Sequence, residues 1–88
     1  MNESRTVGLE DLKRILVERV GLPAGDIPDD LTTTFDELGL DSLAFMEIAL
    51  AVEQEYGILV DEEDAERITT FGGALDYVNN RLAEEASA

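Results

Sequence analysis

Cysteine, histidine and tryptophan are absent from this chain of 88 residues. Without cysteine the chain can form no disulfide and supplies no thiolate. Histidine is the usual general base near neutral pH, and a serine nucleophile normally needs histidine or lysine beside it. Lys13 is the single lysine. The sequence therefore predicts that the protein is not an enzyme of hydrolysis or acyl transfer, although chemistry by paired carboxylates stays open.

Positive charge is also scarce, because 21 Asp and Glu residues stand against 6 Lys and Arg residues and the net charge is −15. Such a chain is repelled by nucleic acids and by anionic membranes, so neither is expected as a partner. Proteins with basic surfaces are attracted to it. The simpler alternative is that the acidity only keeps a small protein soluble.

Long apolar runs are missing as well. No run approaches the length that spans a membrane, and the N-terminal MNESRTVGLEDL lacks the basic and apolar regions of a signal peptide. A cytoplasmic location is therefore expected. A chain of this length with 44% hydrophobic residues is expected to form a single domain, residues 1–88, with a modest core and no large enclosed active site.

Apolar residues recur at helical spacing in four segments, and capping or stop residues bound each segment. In chain order, these boundary residues are Gly21, Pro23, Asp41, Gly57, Asp61 and Thr70. The predicted helices cover residues 9–20, 42–56, 62–68 and 71–84, and residues 84–88 are expected to fray. The predicted fold class is all-α, a four-helix bundle of three longer helices and one short third helix.

A long connection, residues 21–41, joins the first two helices. It contains both prolines, and a loop of this length in a small domain is often functional. Thr34 is expected to cap a single helical turn that Gly39 ends. Apolar side chains are expected to pin the connection to the core, namely Ile27, Leu31, Phe35, Leu38 and Leu40.

The second helix carries two apolar stripes when its residues are placed about 100° apart around its axis. The first is an ordinary core face made of Phe45, Ile48, Ala49, Val52 and Tyr56. The second lies beside Ser42 and consists of Leu43, Met46 and Leu50. Because Glu47, Glu53 and Gln54 flank this second stripe, it has the pattern of a docking surface, and methionine suits a surface that meets several partners. The alternative is that the first helix or the long loop covers it.

Ser42 stands at the start of the second helix, where a serine is most often a plain cap. Asp41 can cap this helix instead, which leaves the Ser42 hydroxyl free. The unpaired N–H groups and the dipole of a helix start favour a phosphate. Two interpretations of Ser42 therefore stay open, a cap or an attachment point for a phosphorylated group, and neither makes it an activated nucleophile.

The segment LGLDSLAFMEIALAVEQEYGI, with DEEDAERITTFGGALDYVNNRLA after it, resembles the acyl carrier proteins. The core of the motif is Asp41, Ser42 and Leu43, and it gains specificity from Gly39 before it and Glu47 after it. An acidic amphipathic helix, a Tyr-Gly end and a short acidic helix complete the pattern. The resemblance extends from about residue 9 to residue 83.

The resemblance implies a cofactor. In acyl carrier proteins a separate transferase attaches 4′-phosphopantetheine from coenzyme A to the serine at the position of Ser42, and the thiol of this arm holds acyl chains as thioesters. The absence of cysteine fits, because the cofactor supplies the working thiol. Asp41 matches the aspartate that helps to position metal-bound coenzyme A in the transferase complex.

The resemblance also implies a surface for partner enzymes. Leu43, Met46 and Glu47 match partner-facing positions, and the stripe analysis reaches these three residues independently. Ile68 matches another such position and rests on the resemblance alone. The stripe analysis adds Leu50 and Glu53 to the predicted partner surface.

The third helix departs from the family pattern at two positions. Asp61 stands where many relatives have proline, and Asp64 stands where an apolar residue is frequent. A more acidic and looser third helix is therefore expected. Phe45, Ala49 and Ala74 are expected to be core residues, with a shallow cleft for the acyl chain as the alternative.

The pathway is predicted from two segments. DSLAFMEIALAVEQEYGI looks like the free-standing carriers of bacterial aromatic polyketide synthases, whereas DEEDAERITTFGGALDYVN looks more like fatty acid carriers. We favour polyketide synthesis, with fatty acid synthesis as the alternative and peptide synthesis least favoured. The implied protein is a monomer that meets a phosphopantetheinyl transferase, a ketosynthase, a malonyl transferase and tailoring enzymes. Basic patches on these enzymes would be steered by Glu47, Glu53, Glu55, Glu62 and Glu63.

Two other classes of protein stay open. One is an acidic interaction module that binds basic proteins without a covalent cofactor. The other is a divalent-metal protein, suggested by the segment VDEEDAE. The spacing in that segment does not match an EF-hand loop, so no metal site is predicted and a solvated acidic helix accounts better for it.

Overall fold

Four helices, α1 to α4 in chain order, make up the fold in the computed structural model, which describes residues 6–87 and the side chains of residues 6–85. α1 begins as an α-helix and continues as a wider π-helical segment, and α3 is the shortest of the four. Two single 3₁₀ turns lie in the connection between α1 and α2. The helices are α1, Leu9–Ile15 continued by Leu16–Val20; α2, Ser42–Tyr56; α3, Glu62–Arg67; and α4, Phe71–Ser87. The predicted all-α bundle of three longer helices and one short helix is confirmed.

Most of the predicted helix boundaries are also confirmed. Gly21 follows α1 with φ +88° and Gly57 follows α2 with φ +74°, a left-handed conformation that glycine adopts without steric cost. At the start of α4, the Thr70 hydroxyl oxygen accepts a hydrogen bond from the N–H of Gly73 at 3.0 Å. Local capping chemistry therefore fixes where these helices begin and end.

α3 and α4 end at residues other than those predicted. α3 ends at Arg67, one residue before the predicted end, and the Asp61 side chain makes no capping hydrogen bond. α4 continues to Ser87, so the segment expected to fray is helical up to that residue. Residues 83–86 are all alanine or glutamate, whose high helix propensity extends the helix. The described part of the chain does not include residues 1–5 or residue 88. Residues 1–5 belong to the N-terminal segment in which no signal peptide is expected.

The core is formed by α1, α2, α4, the two segments that flank α2 and Val7 before α1, and α3 contributes no buried residue. Each fully buried large apolar side chain contributes about 1.5–3 kcal/mol. The buried apolar residues are Val7, Leu12, Ile15, Leu16, Ile27, Phe35, Leu40, Ile48, Ala51, Val52, Ile58, Phe71, Leu75, Val78 and Leu82.

The α1–α2 loop is pinned as predicted at Ile27, Phe35 and Leu40, while Leu38 is half-buried. Leu31 is a correction, because its side chain is 51% exposed. The backbone of Leu31 holds the loop against α4 instead, because its carbonyl accepts a hydrogen bond from the N–H of Gly72 at 2.8 Å.

The same loop lies directly against the first turn of α4. The Phe35 N–H donates to the Thr69 carbonyl at 3.1 Å, and the Phe71 N–H donates to the Thr33 carbonyl at 2.9 Å. A Cβ on Gly72 would lie 3.1 Å from the Leu31 carbonyl oxygen, so this close approach accounts for a glycine at a position where it weakens the helix. The loop that leads to Ser42 is therefore fixed to α4 by backbone contacts.

Candidate functional site

Ser42 is the first residue of α2, and its side chain is exposed. The helix is capped by Asp41, whose Oδ1 accepts the N–H of Ala44 at 2.9 Å. The Ser42 hydroxyl makes no hydrogen bond with the described residues, so it is not the cap. The interpretation of Ser42 as the helix cap is therefore wrong, and its hydroxyl is exposed to solvent.

A capped 3₁₀ turn and a glycine turn precede Ser42 and leave its side chain exposed. Thr34 and Glu37 form a capping box, in which the Glu37 N–H donates to the Thr34 hydroxyl oxygen at 3.1 Å and the Thr34 N–H donates to the Glu37 carboxylate at 3.4 Å. Gly39 then turns the chain with φ +74°. After this turn the Leu40 side chain enters the core, while Asp41 and Ser42 stay exposed.

A cleft of about 670 Å³ opens beside Ser42. One wall comes from α2 through Phe45 and Met46, and the other comes from α3 and the segment after it. The ring of Phe35 lies edge-on to the ring of Phe45 at 5.4 Å between centroids. The residues that α3 and its following segment contribute are Glu62, Ala65, Glu66, Ile68 and Thr69.

A second groove, of about 390 Å³, continues from this cleft along α2 and shares with it the residues Phe45, Met46, Glu62 and Ala65. Ala49 lines this groove as well, and both Phe45 and Ala49 are half-buried. Both residues therefore line a groove, and Phe45 also packs against the core. Ala74 packs against the core, as first expected.

The predicted second stripe of α2 is exposed. The exposed fractions are 69% for Leu43, 65% for Met46 and 44% for Leu50, whereas Ile48 and Val52 on the other stripe are buried. Neither α1 nor the long loop covers the stripe, so that alternative is wrong. The flanking Glu47 and Glu53 are exposed, and Ile68 is half-buried in the wall of the Ser42 cleft.

Glu55 does not belong to the acidic steering face, which corrects the prediction. Its carboxylate accepts hydrogen bonds from the Arg14 guanidinium at 2.7 and 3.3 Å, and Arg19 approaches it at 3.9 Å. The hydrogen bond from Arg14 lowers the pKa of Glu55 below its ordinary value, against the opposing effect of burial. Glu55 therefore joins α2 to α1 instead of facing partners.

Asp64 ties α3 to α4, which sequence reasoning missed. The Tyr77 hydroxyl donates to the Asp64 carboxylate at 2.9 Å, and the Arg81 guanidinium donates to the Tyr77 oxygen at 2.9 Å. Burial raises the pKa of Tyr77, and the hydrogen bond to Asp64 adds to this effect. The departure from the family pattern at Asp64 thus introduces a hydrogen bond between α3 and α4.

Within residues 6–87 no helix is long and apolar enough to cross a membrane. The same residues contain no cluster of three or more carboxylates placed to hold a metal ion. In the acidic segment around α3, the side chains of Asp61, Glu62 and Glu63 are exposed to solvent.

The described residues thus form a four-helix bundle that presents an exposed serine hydroxyl at a helix start, beside a cleft. The phosphopantetheine attachment site family matches residues 10–78. Solved structures of the actinorhodin acyl carrier protein from Streptomyces coelicolor are similar over nearly the whole chain. The acetyl form is 36% identical with a TM-score of 0.80, covering 94% of this chain and 99% of that one. The octanoyl form is 37% identical with a TM-score of 0.81, and the holo form is 37% identical with a TM-score of 0.79, each covering 93% of this chain and 98% of the other.

The chain belongs to the acyl carrier protein family. Its cofactor is a covalently attached 4′-phosphopantetheine, and its function is to carry acyl groups as thioesters on that arm. The resemblance stated from the sequence is confirmed. The site fits this cofactor, because an exposed hydroxyl without a hydrogen-bond partner stands at a helix start, where N–H groups favour a phosphodiester.

Proposed function

We propose that Ser42 is the attachment residue and that the protein shuttles acyl and poly-β-keto intermediates between the enzymes of a polyketide synthase. The observation that carries the proposal is the Ser42 hydroxyl, which is exposed, unbonded and at the mouth of a cleft. In the attachment step, a bond forms between the Ser42 oxygen and the β-phosphorus of coenzyme A, adenosine 3′,5′-bisphosphate leaves, and the transferase takes the hydroxyl proton.

The chain is proposed to act as a carrier and not as an enzyme. It has no histidine. Its single lysine, Lys13 in α1, forms an ion pair with Asp29 in the long loop. No base of either type therefore stands beside Ser42 to activate it. The attached cofactor supplies a thiol for thioester chemistry, while the chain orients the arm at the cleft and presents it to partner enzymes.

Asp41 has two proposed roles. Its Oδ1 caps α2 through the Ala44 N–H, and this bond holds the first turn that carries Ser42. Its other carboxylate oxygen is left to face the metal-bound coenzyme A in the transferase complex, as the family resemblance implies. Asp41 is exposed, which supports this second role.

The partner surface is proposed to comprise the exposed stripe Leu43, Met46 and Leu50 with the carboxylates Glu47 and Glu53. Apolar side chains would be buried on docking, and the carboxylates would steer basic patches of the partner. The partners proposed are a phosphopantetheinyl transferase, a ketosynthase, a malonyl transferase and tailoring enzymes. Contacts with each are weak, because every partner must release the carrier.

Ile68 has a narrower proposed role. It is half-buried in the wall of the Ser42 cleft, so it meets the arm or a partner group that enters the cleft, and not a flat docking face. The protein is proposed to act as a single carrier domain, residues 1–88, monomeric and in the cytoplasm where coenzyme A is available. Similarity to the actinorhodin carrier favours polyketide over fatty acid synthesis.

Intact-protein mass spectrometry tests the attachment. After incubation with coenzyme A and a broad-specificity phosphopantetheinyl transferase, the wild type should gain about 340 Da, the mass of the arm. Ser42→Ala should gain nothing, while the matched variant Ser87→Ala should gain the arm as the wild type does. A wild type that gains no mass would instead support the non-covalent interaction module.

A further inference from the structure

Phe35 lies in the α1–α2 loop and connects the start of α4 to the chain that leads into Ser42. Its side chain is buried. The Phe35 N–H donates to the Thr69 carbonyl at 3.1 Å, which joins the loop to the segment before α4. The Phe35 carbonyl accepts the N–H of Leu40, two residues before Ser42, at 3.1 Å. The backbone of Phe35 therefore fixes the chain that enters the first turn of α2.

The ring of Phe35 reaches the chain that follows Ser42. It lies edge-on to the ring of Phe45, with 5.4 Å between centroids and 80° between the ring planes. Phe45 stands one helical turn after Ser42, and its N–H donates to the Asp41 carbonyl at 3.0 Å. The Phe35 ring also lies 5.4 Å from the ring of Phe71, which is completely buried at the start of α4. The turn that carries Ser42 is thus contacted before and after the serine by one residue, which is itself supported by the core.

We propose that Phe35 is a positioning residue for attachment of the arm. Its ring acts through Phe45 and sets the orientation of the first turn of α2, and with it the direction of the Ser42 hydroxyl. Aromatic pairs prefer a restricted set of geometries, so this contact specifies an orientation, whereas two aliphatic side chains would only fill the space. The inference rests on the proposed function and deepens it, because it assigns part of the attachment rate to a buried residue.

A positioning role and a docking role predict different kinetics. Attachment requires the Ser42 oxygen to be aligned with the phosphorus of coenzyme A in the transferase complex, and a displacement of about 1 Å can lower a rate about 100-fold. Phe35 is only 5% exposed, so it offers almost no surface to a partner enzyme. Loss of its ring should therefore lower kcat for attachment and leave KM for the carrier nearly unchanged.

The test compares Phe35→Leu with the matched control Leu82→Ala. Phe35→Leu removes the ring and keeps an apolar side chain and the backbone hydrogen bonds. Leu82 is buried as well, but it lies about 16 Å along α4 from Phe71. With coenzyme A and a broad-specificity phosphopantetheinyl transferase, Phe35→Leu should lower kcat about 10-fold and keep KM within about 2-fold. Leu82→Ala should keep both constants, and thermal unfolding should show that each variant is folded at the assay temperature.

A second variant, Phe45→Leu, breaks the same ring contact from its half-buried side. It keeps the test open if Phe35→Leu does not fold, and its kcat should also fall. The double variant should lose about as much kcat as Phe35→Leu alone, because both substitutions remove one contact. Backbone amide NMR signals of residues 41–44 should shift in both ring variants and not in Leu82→Ala.

Three results would overturn the inference. The first is a kcat equal to that of the wild type in either ring variant. The second is an equal loss of kcat in Leu82→Ala, which would assign the effect to stability. The third is a double variant whose loss of kcat is the product of the two single losses. Failure of the proposed function is separate, because it would appear as no gain of the arm on the wild type, whereas Phe35→Leu keeps Ser42 and should be fully loaded after long incubation.

Discussion

At the scale of single residues, the carboxylate of Glu55 joins two helices through its ion pair with Arg14. Two hydrogen bonds join the side chains, and Glu55 is only 26% exposed. The pair connects α1 to α2 over 41 positions of sequence. Because Arg14 is 39% exposed, water screens the pair and its contribution is about 0.5–1 kcal/mol.

The lowered pKa of Glu55 gives this pair a pH dependence. Since the folded-state pKa lies below the ordinary value of 4.5, ionised Glu55 stabilises the fold above that value and the stabilisation is lost as pH falls through the folded pKa. Glu55→Gln should therefore lower the free energy of unfolding in urea by about 0.5–1 kcal/mol at pH 7, and this difference should shrink on acidification. Glu47→Gln, an exposed carboxylate without an ion pair, is the control and should have little effect. A difference for Glu55→Gln that is equal at pH 7 and pH 3 would contradict the account.

At the scale of elements, α3 is held differently from the other helices. None of its side chains is fully buried, and the hydrogen bonds from Tyr77 to Asp64 and from Arg81 to Tyr77 connect it to α4. α3 also forms one wall of the Ser42 cleft. These hydrogen bonds therefore join that wall to α4.

Tyr77→Phe should loosen α3 without unfolding the protein, because it removes one hydroxyl and keeps the half-buried ring. Backbone amides of residues 62–67 should exchange with solvent about 5-fold faster, as expected for loss of one partly buried hydrogen bond. Amides in the middle of α2 should keep their rates. Hydrogen exchange followed by NMR measures both. Asp64→Asn, which keeps an acceptor oxygen, should have a smaller effect, and unchanged exchange in α3 of Tyr77→Phe would show that the hydrogen bond from Tyr77 to Asp64 does not hold the helix.

At the scale of the whole molecule, net charge is the dominant electrostatic feature. The net charge of −15 repels itself, whereas the ion pairs among the described residues are few and mostly exposed. Salt weakens both the repulsion and the pairs. Because the unpaired carboxylates far outnumber the pairs, relief of repulsion is the larger effect.

Added salt should therefore stabilise the protein. Raising NaCl from about 0.05 M to about 0.5 M at pH 7 should raise Tm by several degrees in a circular dichroism melt, since the Debye length falls below the spacing of many surface carboxylates. Mg²⁺ should act in the same direction at lower concentration. A Tm that stays constant or falls with salt would mean that the ion pairs outweigh the repulsion.

Local patterns were sufficient to predict much of this site. The Asp41 cap, the exposed position of Ser42 and the exposed stripe of Leu43 and Met46 all follow from capping chemistry and helical periodicity, which act within a few residues. The partners of Glu55 and Asp64 did not follow, because Arg14 and Tyr77 lie far away in sequence and meet them only in the folded chain. Charge alone made those two carboxylates look like surface residues.

Leu59 shows the same limit in another form. The link between α2 and α3 is too short to contain a helical period by which buried and exposed residues could be separated. Folding places Ile58 in the core and leaves Leu59 in solvent. The Gly72 position likewise became understandable only when the Leu31 carbonyl was found against it.

The central claim is that the hydroxyl of Ser42 is where the arm is attached, and peptide mapping of the loaded protein tests it most directly. After loading with coenzyme A and a transferase, the protein is digested and the modified peptide is fragmented in the mass spectrometer. The account predicts one phosphopantetheine per chain, located on Ser42. An arm found on another residue, or none found on a protein shown to be folded, would contradict it.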